Sequence, residues 1–138
     1  MHTPIFSSDT IPARVLASSL QSKIMTADEA ASYIQHGEVI ATSGFTPSGY
    51  PKAIPQAIAK RGKTLHDEGK PFSLTLYTGA SVGDELEGEL CRAEIISKRL
   101  PFQSNKDSRN RINDGSIEFI DFHLSNVAPA VRSGFLPK

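Results

Sequence analysis

A chain of 138 residues, 38% hydrophobic and 22% charged, has the composition of an ordinary soluble domain or of part of one. Its formal net charge of zero excludes the basic footprint of a nucleic-acid binder and gives no reason to seek an acidic membrane surface. A single cysteine, Cys91, excludes an internal disulfide and a cysteine metal cluster, and no apolar run reaches membrane-spanning length.

Residues 1–20 read as an arm, loose over the first 12 residues, and the start of a first helix expected over residues 13–23. The arm lacks the cationic and apolar regions of a secretory signal. The cytoplasm is the default compartment, with a mitochondrial transit peptide as the lesser reading. Thr26-Ala27-Asp28-Glu29 has the capping-box pattern, and the helix it opens is expected to stop at Gly37. Residues 38–43 form a short strand. Ser43 to Lys52, with two glycines and two prolines, then reads as a strand-to-helix turn. Pro51 is expected as the first helical residue, and Ile54, Ala57, Ile58 and Leu65 mark one helical face to about Glu68. Gly69-Lys70-Pro71 breaks that helix.

Residues 72–77 read as the second strand, followed by the small-residue turn Thr78-Gly79-Ala80-Ser81. A helix opens at Val82-Gly83-Asp84-Glu85, with acids in its first turn. A third short strand includes Ile95-Ile96, a helix spans residues 107–114, and residues 117–122 give the fourth strand. The last helical pattern, residues 124–134, is interrupted by Pro129. This alternation predicts an α/β fold with a mainly parallel sheet flanked by helices. No strand follows the last helix, so the domain is expected to be incomplete.

Ligands in open α/β sheets bind beyond the carboxyl ends of the strands, which points to the turns 44–52 and 78–83. Glycines that merely permit tight turns are the bland alternative. Neither a Walker A pattern nor a G-x-G-x-x-G after a strand is present. Glu85, Glu87 and Glu89 lie two apart, do not converge, and read as a solvated helical face. His123 reads as structural, Cys91 as core, and no histidine pair has metal spacing. Ser81 lacks a nucleophile motif but is a candidate hydrogen-bond donor. Gln103-Ser104-Asn105 offers donors for a carboxylate, or else a helix N-cap from Ser104 or Asn105. Arg109 and Arg111 are either anion ligands or solvated.

Taken in series, several segments resemble the acetyl-CoA hydrolase/transferase family, most closely its succinyl-CoA:acetate CoA-transferases. They are Thr42-Ser43-Gly44-Phe45-Thr46, Gly49-Tyr50-Pro51-Lys52 with Pro55, Thr78-Gly79-Ala80-Ser81 and Gly88-Glu89-Leu90. Pro101-Phe102, Arg109-Asn110-Arg111-Ile112-Asn113 and the Asp121, His123-Leu124 neighbourhood continue the series. The resemblance runs from about residue 20 to the end. It implies that residues 21–138 are the N-terminal part of an α/β CoA-transferase-like domain.

The resemblance further implies covalent catalysis through a glutamyl-CoA thioester, with the nucleophilic glutamate in a C-terminal domain beyond Lys138. No catalytic residue, metal or cofactor is then expected in this chain, and coenzyme A enters as a substrate. The implied partners are an acyl-CoA, a small carboxylate such as acetate and the C-terminal domain, with a homodimer left open. Ser81, Ser104, Gly79 and Asn105 are implied as the substrate-binding residues. Gly44, Phe45, Thr46, Gly49 and Tyr50 form the turn that shapes the same edge. Gln103-Ser104-Asn105 stands where relatives carry Asn-Thr-Asp, which bears on the carboxylate preferred. The rival expectations are a ligand-binding or interaction domain without catalysis and an unrelated nucleotide-binding module; the absent fingerprints count against the latter.

Overall fold

The computed structural model describes residues 15–80, 83–100 and 105–136. Its centre is a four-stranded sheet in the order β1-β2-β3-β4, formed by Val39–Ala41, Leu74–Tyr77, Ile96–Leu100 and Glu118–Phe119. Every pairing is parallel: Ile40 lies beside Leu76, Leu76 beside Arg99, and Arg99 beside Phe119. All the strands therefore point their carboxyl ends to one edge, and helical connections carry the chain back between them.

Two helices precede the sheet, α1 (Ser18–Gln21) and α2 (Ala27–Ser32). The capping box that opens α2 forms as expected. The Thr26 hydroxyl accepts from the Glu29 N–H at 3.2 Å, and the Glu29 carboxylate accepts from the Thr26 N–H at 2.9 Å. Helix α3 (Ala53–Asp67) joins β1 to β2 and buries Pro55, Ala57, Ile58, Ala59 and Gly62. Its apolar face meets Leu74 and Leu76 of β2, with Leu86, Leu90 and Ile95, in one core cluster. Between β2 and β3 lie a π-helical segment, Asp84–Gly88, and α4 (Glu89–Arg92). Helix α5 (Lys106–Asn113) joins β3 to β4, and a 3₁₀ turn (Leu124–Asn126) leads into α6 (Val127–Ser133).

Several sequence-based bounds need correction. The first helix is one short turn among the described residues; residues 1–14 lie outside them. The long helix begins at Ala53 rather than Pro51, because Tyr50 is drawn down into the core and the backbone turns into the helix only after Lys52. The third strand runs on to Leu100, since a buried Arg99 gives it a polar pattern that alternation cannot reveal. The fourth strand is shorter than expected, Glu118–Phe119. Pro129 falls in the first turn of α6, where no intrahelical N–H bond is lost, so it does not break the helix. Gly134 closes α6 in the left-handed conformation, φ 78°.

Candidate functional site

The turns after β1 and β2 meet at the carboxyl edge and are fastened together. The Thr46 N–H donates to the Ala80 carbonyl at 2.8 Å. Gly79 packs directly on the other turn: a Cβ there would lie 2.1 Å from the Gly44 carbonyl oxygen. Only glycine permits so close an approach. Within the first turn, Phe45 and Ser48 exchange backbone hydrogen bonds, and the Ser43 hydroxyl donates to the Gly49 carbonyl at 2.7 Å.

Tyr50 props the arrangement from behind. Its ring lies where a Gly83 side chain would otherwise stand, with Cζ 2.1 Å from an added Cβ. Its hydroxyl donates to Glu85 Oε2 at 2.5 Å, and Lys52 Nζ donates to that hydroxyl at 3.0 Å and to Glu85 Oε1 at 3.1 Å. The Lys52 ammonium also sits 4.1 Å from the Tyr50 ring centroid. The Tyr50 hydrogen bond, with help from Lys52, holds the Glu85 carboxyl down at about 2. The same Tyr50 contact, followed by Glu85, raises Lys52.

A second support is buried. Glu87 and Arg99 form an ion pair at 3.0 Å with side chains 0% and 1% exposed. Burial opposes the charged form of Arg99, and the facing Glu87 favours it. Arg99 Nη2 also donates to the Thr78 hydroxyl at 2.6 Å, and Nη1 donates to the Leu100 carbonyl. This corrects the expectation of a solvated glutamate face. Glu85 goes to Tyr50 and Lys52, Glu87 to Arg99, and Glu89 to Arg92 at 3.0 Å. Arg92 also binds Asp84 at 2.9 Å and Asp107 at 2.7 Å, which lowers the Asp84 carboxyl.

Between the joined turns and the end of β4 lies a cleft of about 370 Å³. Phe45, Leu100, Phe122, Leu124 and Val127 give it apolar walls, and Thr78, Asp121 and the Gly44 and Gly79 peptides supply polar groups. Of the residues expected from sequence, Gly44, Phe45 and Gly79 line this cleft. Thr46 ties its two turns, and Gly49 and Tyr50 support the first turn. Ser81 and Ser104 lie outside the described residues, next in sequence to Ala80 and Asn105.

Asn105 caps α5, its side-chain oxygen accepting from the Asp107 and Ser108 N–H groups at 3.0 and 3.1 Å. Arg111 pairs with Glu94 at 2.9 Å, whereas Arg109 is exposed. His123 accepts from Ser125 at the 3₁₀ turn, and Cys91 is buried against Ser108, with burial pushing its thiol up. Asp121, Phe122, Leu124 and Val127 were not named as site residues from sequence. The usable signal was the parallel sheet itself, which brings whatever follows β4 to the same edge as the two turns. Among the described residues no group of histidine, cysteine or acidic side chains could hold a metal ion, and no helix is long and apolar enough to cross a membrane.

Comparison with known proteins gives consistent matches. Residues 10–138 match the sequence model of the acetyl-CoA hydrolase/transferase N-terminal domain. The chain is 47% identical over 125 residues to a succinyl-CoA:acetate CoA-transferase of Clostridium kluyveri, covering 91% of this chain and 23% of that protein. It is 47% identical over 111 residues to a propanoyl-CoA:succinate CoA transferase of Escherichia coli, covering 80% and 23% respectively. It is 34% identical over 138 residues to an acetyl-CoA hydrolase of Neurospora crassa, covering 100% and 26%. The chain thus spans about a quarter of the length of these curated relatives.

Proposed function

The chain belongs to the acetyl-CoA hydrolase/transferase family, and from that premise we propose that it forms the carboxylate-side wall of a CoA-transfer site in a longer enzyme. The observation that carries this reading is the cleft at the carboxyl edge, walled by the two joined turns and by the end of β4. Its volume suits a small acyl group, and its apolar walls with a few polar groups suit a short carboxylate.

The reaction proceeds through the carboxylate of a glutamate outside this chain. That carboxylate attacks the thioester carbonyl and expels CoA thiolate, leaving an acyl-glutamyl anhydride. The thiolate then attacks the glutamyl carbonyl and releases the first carboxylate, leaving glutamyl-CoA. An acceptor carboxylate reverses these steps and departs as acyl-CoA; water in its place gives hydrolysis. Among the described residues no glutamate lines the cleft, which supports placing the nucleophile elsewhere. In this proposal Ser81 and Ser104 donate hydrogen bonds to the substrate carboxylate or acyl oxygen, and the Gly44 to Tyr50 turn shapes the same site. Acetyl-CoA or succinyl-CoA as donor and acetate as acceptor are the substrates of this proposal.

Ser81→Ala and Ser104→Ala in the full-length enzyme test it. A hydrogen bond to a charged group is worth roughly 1.5–3 kcal/mol. Each change should therefore lower kcat/KM for the carboxylate by about ten- to a hundredfold without unfolding the protein. Unchanged kinetics in both variants would overturn the reading.

A further inference from the structure

We propose that Arg99 and Thr78 are positioning residues for this reaction. A chain of hydrogen bonds runs from the buried Glu87–Arg99 pair through the Thr78 hydroxyl to the Gly79 carbonyl, and it fixes the turn that receives the substrate carboxylate. The inference rests on the reading of this edge as the carboxylate side of a CoA-transfer site.

The Arg99 guanidinium has no access to water and is held by three separate parts of the fold. It reaches Glu87 in the π-helical segment at 3.0 Å, the Thr78 hydroxyl beyond β2 at 2.6 Å, and the Leu100 carbonyl at the end of β3. The Leu100 carbonyl also accepts from the Thr78 N–H at 3.0 Å. A planar fork with fixed donor directions sets the relative position of the two strand ends more tightly than an ammonium could.

Thr78 passes that constraint on. Its oxygen accepts from Arg99 and its hydrogen is donated to the Gly79 carbonyl at 2.5 Å. Each bond in such a sequence polarises the next where water is excluded. Gly79 lines the cleft and packs on Gly44 with no space for a Cβ, so a displaced Gly79 is a displaced cleft wall. Thr78 and Leu100 line the cleft as well. A buried ion pair needs further hydrogen bonds for its remaining donors, and here that chain of bonds ends on the Gly79 carbonyl in the wall of the cleft.

The test uses the full-length enzyme with Thr78→Val, Thr78→Ser, Ser81→Ala and the Thr78→Val/Ser81→Ala double variant. Valine keeps the shape of threonine and removes the hydroxyl link, while serine keeps the link. Misplacing a reacting group by about 1 Å can cost on the order of a hundredfold. Thr78→Val is accordingly expected to lower kcat/KM for the carboxylate by about ten- to a hundredfold, with Thr78→Ser close to wild type. Because Thr78 acts through the turn leading to Ser81, the double variant should lose little more than the worse single one. Arg99→Lys keeps a charge facing Glu87 but cannot also reach Thr78 and Leu100. It should show the same carboxylate-specific loss, and it carries the test if Thr78→Val fails to fold. Equal kinetics for Thr78→Val and Thr78→Ser, or losses that multiply in full with Ser81→Ala, would overturn the inference while leaving the proposed function standing. A silent Ser81→Ala would overturn the inference, because the turn held by Thr78 would then carry no substrate contact; silent Ser81→Ala and Ser104→Ala together would remove the proposed function as well.

Discussion

Gly79 shows how much a single position constrains this edge. Replacing it with alanine puts a methyl group 2.1 Å from the Gly44 carbonyl oxygen, a backbone atom that cannot swing aside. Overpacking of this kind costs about 1–3 kcal/mol. Gly79→Ala should lower the denaturant midpoint accordingly and distort the cleft, which equilibrium urea unfolding would register. Glu85 gives a prediction in pH. Its folded-state value, about 2, lies below the ordinary 4.5, so its contribution to stability is fully present above about pH 4.5 and is lost as the pH falls toward 2. Melting temperatures across that window should fall less steeply for Glu85→Gln than for wild type; parallel curves would contradict the assigned hydrogen bond to Tyr50. Asn105 stands between two roles. As the cap of α5 it should cost about 1 kcal/mol when changed to alanine, with kinetics unchanged. A large fall in kcat/KM on the same change would add a substrate contact to the cap. Sequence identified Gly79 and Asn105 as residues of interest, but the identity of each neighbour depends on tertiary packing that no local pattern records.

At the scale of elements, the π-helical segment Asp84–Gly88 and the helix after it distribute their acids to different parts of the fold. Glu85 secures the turn after β1, Glu87 the ends of β2 and β3, and Glu89 a surface arginine. Burial decides which of these pairs matters for stability. Removing one partner of an enclosed pair costs about 3–5 kcal/mol, because a charge is left without compensation. Exposed pairs are worth about 0–1 kcal/mol. Glu87→Gln should therefore destabilise strongly and Glu89→Gln barely, and chemical unfolding of the two variants measures the difference directly. The spacing of these glutamates implied that they do not converge, and their three separate partners agree with that. It could not show that one of them is buried, because the partner that makes burial tolerable, Arg99, lies 12 residues further on, in a strand whose polar pattern hides it. Local signals were otherwise readable wherever a few adjacent residues determine the outcome. The α2 capping box is the clear case.

For the whole molecule, the alternation of strands and helices was enough to predict a parallel sheet, and the sheet in turn locates the site. Parallel strands collect their carboxyl ends, so Gly44 and Phe45, Thr78 to Ala80 and the segment after β4 meet without any shared sequence motif. The parallel sheet implies that Asp121 to Val127 reach this edge, but which of these residues line the cleft depends on packing that no local pattern records. The central claim is that this chain frames a CoA-transfer site while the nucleophilic glutamate lies outside it. Its most direct test is to treat the full-length enzyme with succinyl-CoA, reduce the trapped glutamyl thioester with borohydride and map the modified peptide. The account predicts one modified glutamate, located outside residues 1–138; a modified glutamate within this chain, whether Glu85, Glu87, Glu89 or another, would contradict it.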